Sequence, residues 1–199
     1  MKKSKVTRIN LIIVGCAFLA LGLFSLSFAA DAQILTPKAA IPPTSGLSVS
    51  VSKIVGNTWT PGQASINFGS LVYNLENNMM MGSCYYAADV GVSSNAANWQ
   101  IKHETTSIAN GSDTLDENIN VVFMRQIDDW NAAELLKVNF AESNGKVFSK
   151  STLSGGWLRI YYGLATGEIG KDAPNAKPVG TLKTFGNYQG TVKITLTEN

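Results

Sequence analysis

Leu47-Ser48-Val49-Ser50-Val51-Ser52-Lys53-Ile54 alternates apolar and small polar residues with a period of two. Successive side chains of a β-strand point to opposite faces, so the run reads as a half-buried strand with Leu47, Val49 and Val51 on one side. The same pattern recurs toward the C-terminus. Ala64–Gly69 places Ile66 and Phe68 in phase, and Cys84–Val92 is an apolar run ending in a polar turn at Ser93–Asn98. Trp99-Gln100-Ile101-Lys102-His103 alternates again, and Ile119–Met124 and Trp157–Gly163 are further apolar strands. The chain closes on Val192, Ile194 and Leu196, one apolar face of a terminal strand. Turn signals punctuate these runs: Trp59-Thr60-Pro61-Gly62, Asn110-Gly111, and Ser143-Asn144-Gly145, the last read as a hairpin between Val138–Phe140 and Lys146–Phe148. Met79-Met80-Met81 falls in a loop and reads as filler for an irregular core gap. Asp128–Lys137, with an N-cap candidate and Trp130, Ala133 and Leu136 at helical spacing, predicts one short helix. About eight strands without βαβ alternation predict an all-β, antiparallel sandwich.

Upstream the pattern changes. Met1–Arg8 carries four basic residues, an apolar run follows from Ile9 to Phe28, and Ser27 and Ala29 supply small residues before Asp31. That order predicts a signal peptide over residues 1–29 with cleavage after Ala29; an uncleaved N-terminal anchor is the rival reading. Residues 30–46 hold Pro37, Pro42 and Pro43 and read as a linker or N-terminal arm, with Ile34, Leu35 and Ile41 as its apolar positions. Residues 47–199 form the β domain.

Loss of the leader takes Lys+Arg from 16 to 12 against 14 acids, so the formal charge goes from +2 to −2. A nearly neutral chain offers no electrostatic footprint for nucleic acid. Cys84 is the one cysteine left, which rules out an intramolecular disulfide and leaves stability to packing. It reads as a small buried residue within its strand.

Three stretches resemble a class of secreted bacterial β-sandwich proteins that includes spore coat protein U-like domains and, more distantly, chaperone–usher pilus subunits. They are Ile66-Asn67-Phe68-Gly69-Ser70-Leu71, Ser94-Asn95-Ala96-Ala97-Asn98-Trp99-Gln100-Ile101, and Gly186-Asn187-Tyr188-Gln189-Gly190-Thr191-Val192-Lys193-Ile194-Thr195-Leu196-Thr197. The resemblance implies an immunoglobulin-like sandwich, export, and a structural or adhesive role in fibres or coats, with no catalytic residues and no cofactor. Pilus subunits donate an N-terminal strand to a neighbour. Here Ile34 and Leu35 are adjacent rather than alternating and Pro37 interrupts the arm, so a plain linker competes with a donor strand.

Residues suited to chemistry are few. His103, the only histidine, is read as lying on the solvent-facing phase of its strand, opposite to Trp99 and Ile101. One histidine and one cysteine fall short of a zinc site. Asp113, Asp116 and Glu117, with Asp128-Asp129 beyond, could offer carboxylates to calcium or could be a solvated loop and a cap, and Glu76 and Glu104 are candidates for paired acid–base work only if the fold joins them. Trp59, Trp99, Trp130, Trp157 and Tyr161-Tyr162 could form a sugar-stacking surface, although core packing also uses such residues. The expectation is therefore a non-enzymatic exported structural or adhesive surface protein, at the cell surface or in the periplasm. It would associate with itself or with other surface proteins and touch membrane only through an uncleaved leader. A carbohydrate- or ligand-binding module is the alternative, and a secreted hydrolase ranks third.

Overall fold

The computed structural model describes residues 42–128, 130–154 and 156–199. The leader (1–29) and the arm positions Ile34, Leu35 and Ile41 lie outside the described residues. Strand accounts for 53% of the described residues and helix for 4%, and the strands pair antiparallel, so the class is all-β.

In chain order the strands are β1 (Ser45–Val55), β2 (Thr58–Thr60), β3 (Val72–Asn74), β4 (Met79–Met81), β5 (Tyr85–Ser94), β6 (Trp99–Asn110), β7 (Asp113–Thr114), β8 (Ile119–Gln126), β9 (Ala132–Asn139), β10 (Lys146–Ser149), β11 (Trp157–Leu164) and β12 (Gln189–Glu198). One helical turn, α1 (Phe140–Ser143), follows β9. A six-stranded sheet has the order β2-β1-β5-β11-β8-β9. A second sheet has the order β10-β6-β12, with β7 paired to β6, and β3 and β4 form a small separate hairpin.

Both large sheets feed one apolar core. The first contributes Tyr86, Ala88 and Val90 from β5, Leu158, Ile160 and Tyr162 from β11, and Val121 and Phe123 from β8. The second contributes Trp99 and Ile101 from β6 and Phe148 from β10. The alternation read in β1 holds only in part. Leu47 and Val51 pack on the core, and Val49, opposite the fully buried Val90, is 45% exposed. Ser52 and Ile54, in the other phase, are also buried, with Trp59 and Tyr85 flanking Ile54 on that face of the sheet. The strand begins at Ser45, so the last two residues of the expected arm belong to it.

Five expectations need correction. Ala64–Gly69 is irregular backbone and not a strand, although Ile66 and Phe68 do pack on the core. The helix expected over Asp128–Lys137 is instead β9. A bulge at Leu135, between the pairs Phe123↔Leu136 and Met124↔Glu134, adds one residue to the period-two pattern. It thereby spaces the inward Ala133 and Leu136 three apart, which mimics a helix. The true helical turn comes later, where the Asn139 side chain accepts the Glu142 N–H at 2.9 Å as an N-cap. The Ser143-Asn144-Gly145 segment does not join a hairpin: β9 pairs with β8 in the large sheet and β10 with β6 in the other, so α1 and Gly145 carry the chain between sheets. His103 faces inward. Counting by two from Trp99 and Ile101 reaches it, and it is fully buried. The methionine run, expected in a loop, is β4; Met80 packs on the core and its N–H donates to the Val179 carbonyl at 2.8 Å. Cys84 is buried, with its thiol against the Asn67 carbonyl.

Candidate functional site: an open strand edge and an aromatic outer face

The two sheets differ in width, and this sets up the first feature. β12 pairs with β6 along its length, from Gln189↔Ala109 to Glu198↔Trp99, and its other edge has no strand beside it among the described residues. Val192, Ile194 and Leu196 lie opposite Thr105, His103 and Ile101, so they share the core-facing side. All three are only half-buried, although the ring and side chain across from Ile194 and Leu196 are fully buried. On the other sheet the core-facing side of β1 is equally uncovered at Leu47, Val49 and Val51. β1 and β12 approach one another, and each leaves three apolar side chains of its core-facing side partly uncovered along this open seam, the slot. Among the described residues the N-terminal half of β1 is also an edge. β2 covers only Lys53–Val55, and the Gln63 N–H reaches the Val51 carbonyl at 3.0 Å.

Across from Ile194, His103, Ser143 and Tyr162 form a buried hydrogen-bonded chain. His103 Nδ1 lies 3.0 Å from the Ser143 carbonyl and Nε2 lies 2.9 Å from the Tyr162 hydroxyl. A carbonyl only accepts, so Nδ1 carries the proton and Nε2 accepts the Tyr162 O–H. The imidazole edge also meets Phe123, with ring centroids 5.1 Å apart. Burial pushes the His103 pKa below its ordinary value, against the Ser143 carbonyl, which favours the charged form; burial also pushes Tyr162 far up. Fully buried and bonded at both ring nitrogens, His103 ties β6 to β11 and to α1.

The second feature is the outer face of the six-stranded sheet. Cross-strand register brings Trp59 beside Ile54, Ile54 beside Tyr85, Tyr161 beside Ala87 and Arg159 beside Asp89. The Arg159 guanidinium stacks on two indoles, 4.9 Å from the Trp59 ring and 4.7 Å from the Trp157 ring. Asp89 grips it in a bidentate pair, Nε to Oδ1 at 2.5 Å and Nη2 to Oδ2 at 3.0 Å. Burial works against the Arg159 charge, but the Asp89 bonds outweigh it and the net shift is upward. Tyr161 sits edge-on to Trp59, with centroids 6.4 Å apart, and tilted against Tyr85 at 6.3 Å. Burial, then the Tyr161 hydroxyl, raises the Tyr85 pKa. Next to this row an open depression of about 460 Å³ is lined by Ser48, Ser50, Asp89, Gly91, Gly156 and Trp157.

The remaining candidates are dispersed. Asp113 accepts from the Thr184 N–H at 2.7 Å, the Tyr188 hydroxyl at 2.7 Å and Lys183 Nζ at 3.0 Å, bonds that hold its carboxyl well below the usual range. Asp116 accepts the Ile108 N–H, Glu117 pairs with Lys177, and Asp128 caps the Trp130–Asn131 turn. Among the described residues no cluster of three His, Cys, Asp or Glu could hold a metal; Asp129 lies outside them. Glu104 pairs with Lys102 and Lys193 on the outer face of the second sheet, whereas Glu76 stands in the turn of the β3–β4 hairpin. Of the four tryptophans, Trp99 is core and Trp130 is 93% exposed on the β8–β9 loop.

No family model matches the chain, and no curated protein or solved structure matches it.

Proposed function

We propose that the chain is an exported structural protein of the cell surface, an immunoglobulin-like β-sandwich that assembles by accepting a strand along β12. The observation that carries this reading is the edge of β12, unpaired among the described residues, along which Val192, Ile194 and Leu196 face inward yet stay partly uncovered, as do Leu47, Val49 and Val51 on β1. An open edge of this kind offers a row of backbone donors and acceptors to an added strand, and the slot offers the side-chain pockets. Completing the burial of each half-covered side chain is worth about 1 kcal/mol.

The occupant the sequence offers is residues 30–41 of a second copy. At about 3.3 Å per residue this segment extends for roughly 40 Å, more than enough to run along β12 with its ten residues. Ile34 or Leu35, not both, would face the slot, and Ile41 would share the face of Leu35. Pro37 is tolerable because an added strand is itself an edge, where the missing N–H can point away from β12. Export of the precursor through residues 1–29 belongs to the same proposal.

The test compares residues 30–199 with residues 42–199 by size-exclusion chromatography with light scattering, followed by negative-stain microscopy. Assemblies or fibres that form only when residues 30–41 are present support the reading. Monodisperse monomer from both proteins at high concentration refutes it.

A further inference from the structure

The outer face of the six-stranded sheet carries a second site, independent of the β12 edge. Three observations coincide there. First, the depression of about 460 Å³ lies within the size range of small-molecule sites, and a neighbouring one of about 280 Å³ shares Ser48, Gly91 and Val92 with it, so together they make a trough rather than a closed pocket. Second, its floor is kept low by glycine: a Cβ on Gly91 would stand 2.8 Å from Ser48 Oγ. Third, one wall is the Trp157 indole, and the aromatic row continues past Arg159 to Trp59 and Tyr85, which are 42% and 39% exposed.

The chemistry of the lining selects the ligand. Arg159 and Asp89 neutralise each other in their bidentate pair, so the trough presents no net charge to attract an anion or a cation. Each Asp89 oxygen takes one bond from Arg159 and keeps a lone pair, with the side chain 28% exposed. The Ser50 hydroxyl adds a donor and an acceptor on the same side, and the Ser48 hydroxyl, which donates to the Gly91 carbonyl, adds an acceptor. Indole faces, hydroxyls and a carboxylate acceptor on a neutral, open surface match a ligand with flat apolar C–H faces and a rim of hydroxyls. We propose that this trough binds a neutral β-linked pyranose chain, with sugar rings on Trp157 and on the Trp59–Tyr85 end of the row, and hydroxyls donating to Asp89. A trough open along its length suits a polymer segment better than a free monosaccharide, whose few contacts would not offset the cost of immobilising it.

The probes are cellohexaose, chitohexaose and xylohexaose, titrated into residues 30–199 and followed by calorimetry and by nitrogen–proton spectra of the indoles and amides. At least one hexasaccharide should bind, shifting the Trp157 indole and the Gly91 amide and leaving the buried Trp99 indole unmoved. Trp157→Ala and Gly91→Thr should each weaken that binding at least tenfold, and Leu182→Ser, on an exposed loop, should not change it. Because Trp157→Ala also removes a stacking partner of Arg159, its melting curve is recorded beside the titration, and the wild-type shift map decides the matter if that variant does not fold. The proposal is overturned if none of the three saccharides binds, or if binding occurs with shifts confined to residues away from the trough. Strand addition at β12 would stand after either result, because no β12 residue lines the trough and none of the substituted residues borders the slot.

Discussion

Replacing Tyr162 by Phe removes one oxygen and keeps the ring that fills the core. It leaves His103 Nε2 buried with no donor, since the other nitrogen is engaged by the Ser143 carbonyl. A buried acceptor stripped of its partner costs about 1–3 kcal/mol. For a domain of this size that is roughly 2–12 °C in melting temperature. The same histidine sets an acid limb. Its neighbours are Tyr162 from β11, Ser143 from α1, Phe123 from β8, Ile194 from β12 and Lys146, its cross-strand partner on β10; Lys146 is the charged one among them, and a cation there also disfavours the imidazolium. Its folded pKa is depressed, so the unfolded chain takes up a proton first as pH falls below about 6.5. Stability is thus full above that value and declines on acidification, by at most about 1.4 kcal/mol per pH unit, until the folded state also protonates. Urea melts of wild type, Tyr162→Phe and His103→Leu from pH 8 to pH 4.5 measure both effects. Tyr162→Phe should lower the midpoint at every pH, and His103→Leu should flatten the slope below about 6.5. Equal stability of Tyr162→Phe and wild type, or an acid limb unchanged in His103→Leu, would refute the reasoning.

Asp113→Ala should free the loop of residues 180–188, because three donors converge on that carboxylate; trypsin should then cut after Lys183 about tenfold faster, with the rest of the domain intact. Since the Asp113 pKa is depressed in the folded state, the docking it provides is complete above the ordinary aspartate value near 3.9 and weakens progressively as pH falls from there toward the folded value, so residues 180–188 of wild type should become cleavable by an acid-active protease as pH is lowered below that value. Cys84, free and buried, should react with a thiol reagent on the order of 100-fold more slowly in native residues 30–199 than in denaturant, and equal rates would mean that the segment leading into β5 is open.

What the sequence disclosed was periodicity. Turn signals and alternation located most strands, and the apolar face of Val192, Ile194 and Leu196 is visible without coordinates. It failed where geometry breaks the period or where distant strands meet. The bulge at Leu135 turned a strand into an apparent helix, and a phase error put His103 in solvent although its spacing from Trp99 and Ile101 is even. The outer-face row needs Trp59, Tyr85 and the 157–161 stretch on one sheet face, and only the order β2-β1-β5-β11 places them there. No local signal carries strand order, so those residues could be suspected singly but not assembled. The half-covered slot has the same origin: it depends on β12 ending up at an edge, which the pattern of β12 itself does not encode.

Amide hydrogen exchange along β12 tests strand addition most directly. In residues 42–199 the amides of β12 that point away from β6 should exchange quickly, and the alternate ones bonded to β6 slowly. In the assembled form of residues 30–199 both sets should be protected, and dilution to monomer should restore the fast set. Assemblies in which the outward amides of β12 still exchange quickly would contradict the account, because the subunits would then be joined at some other surface.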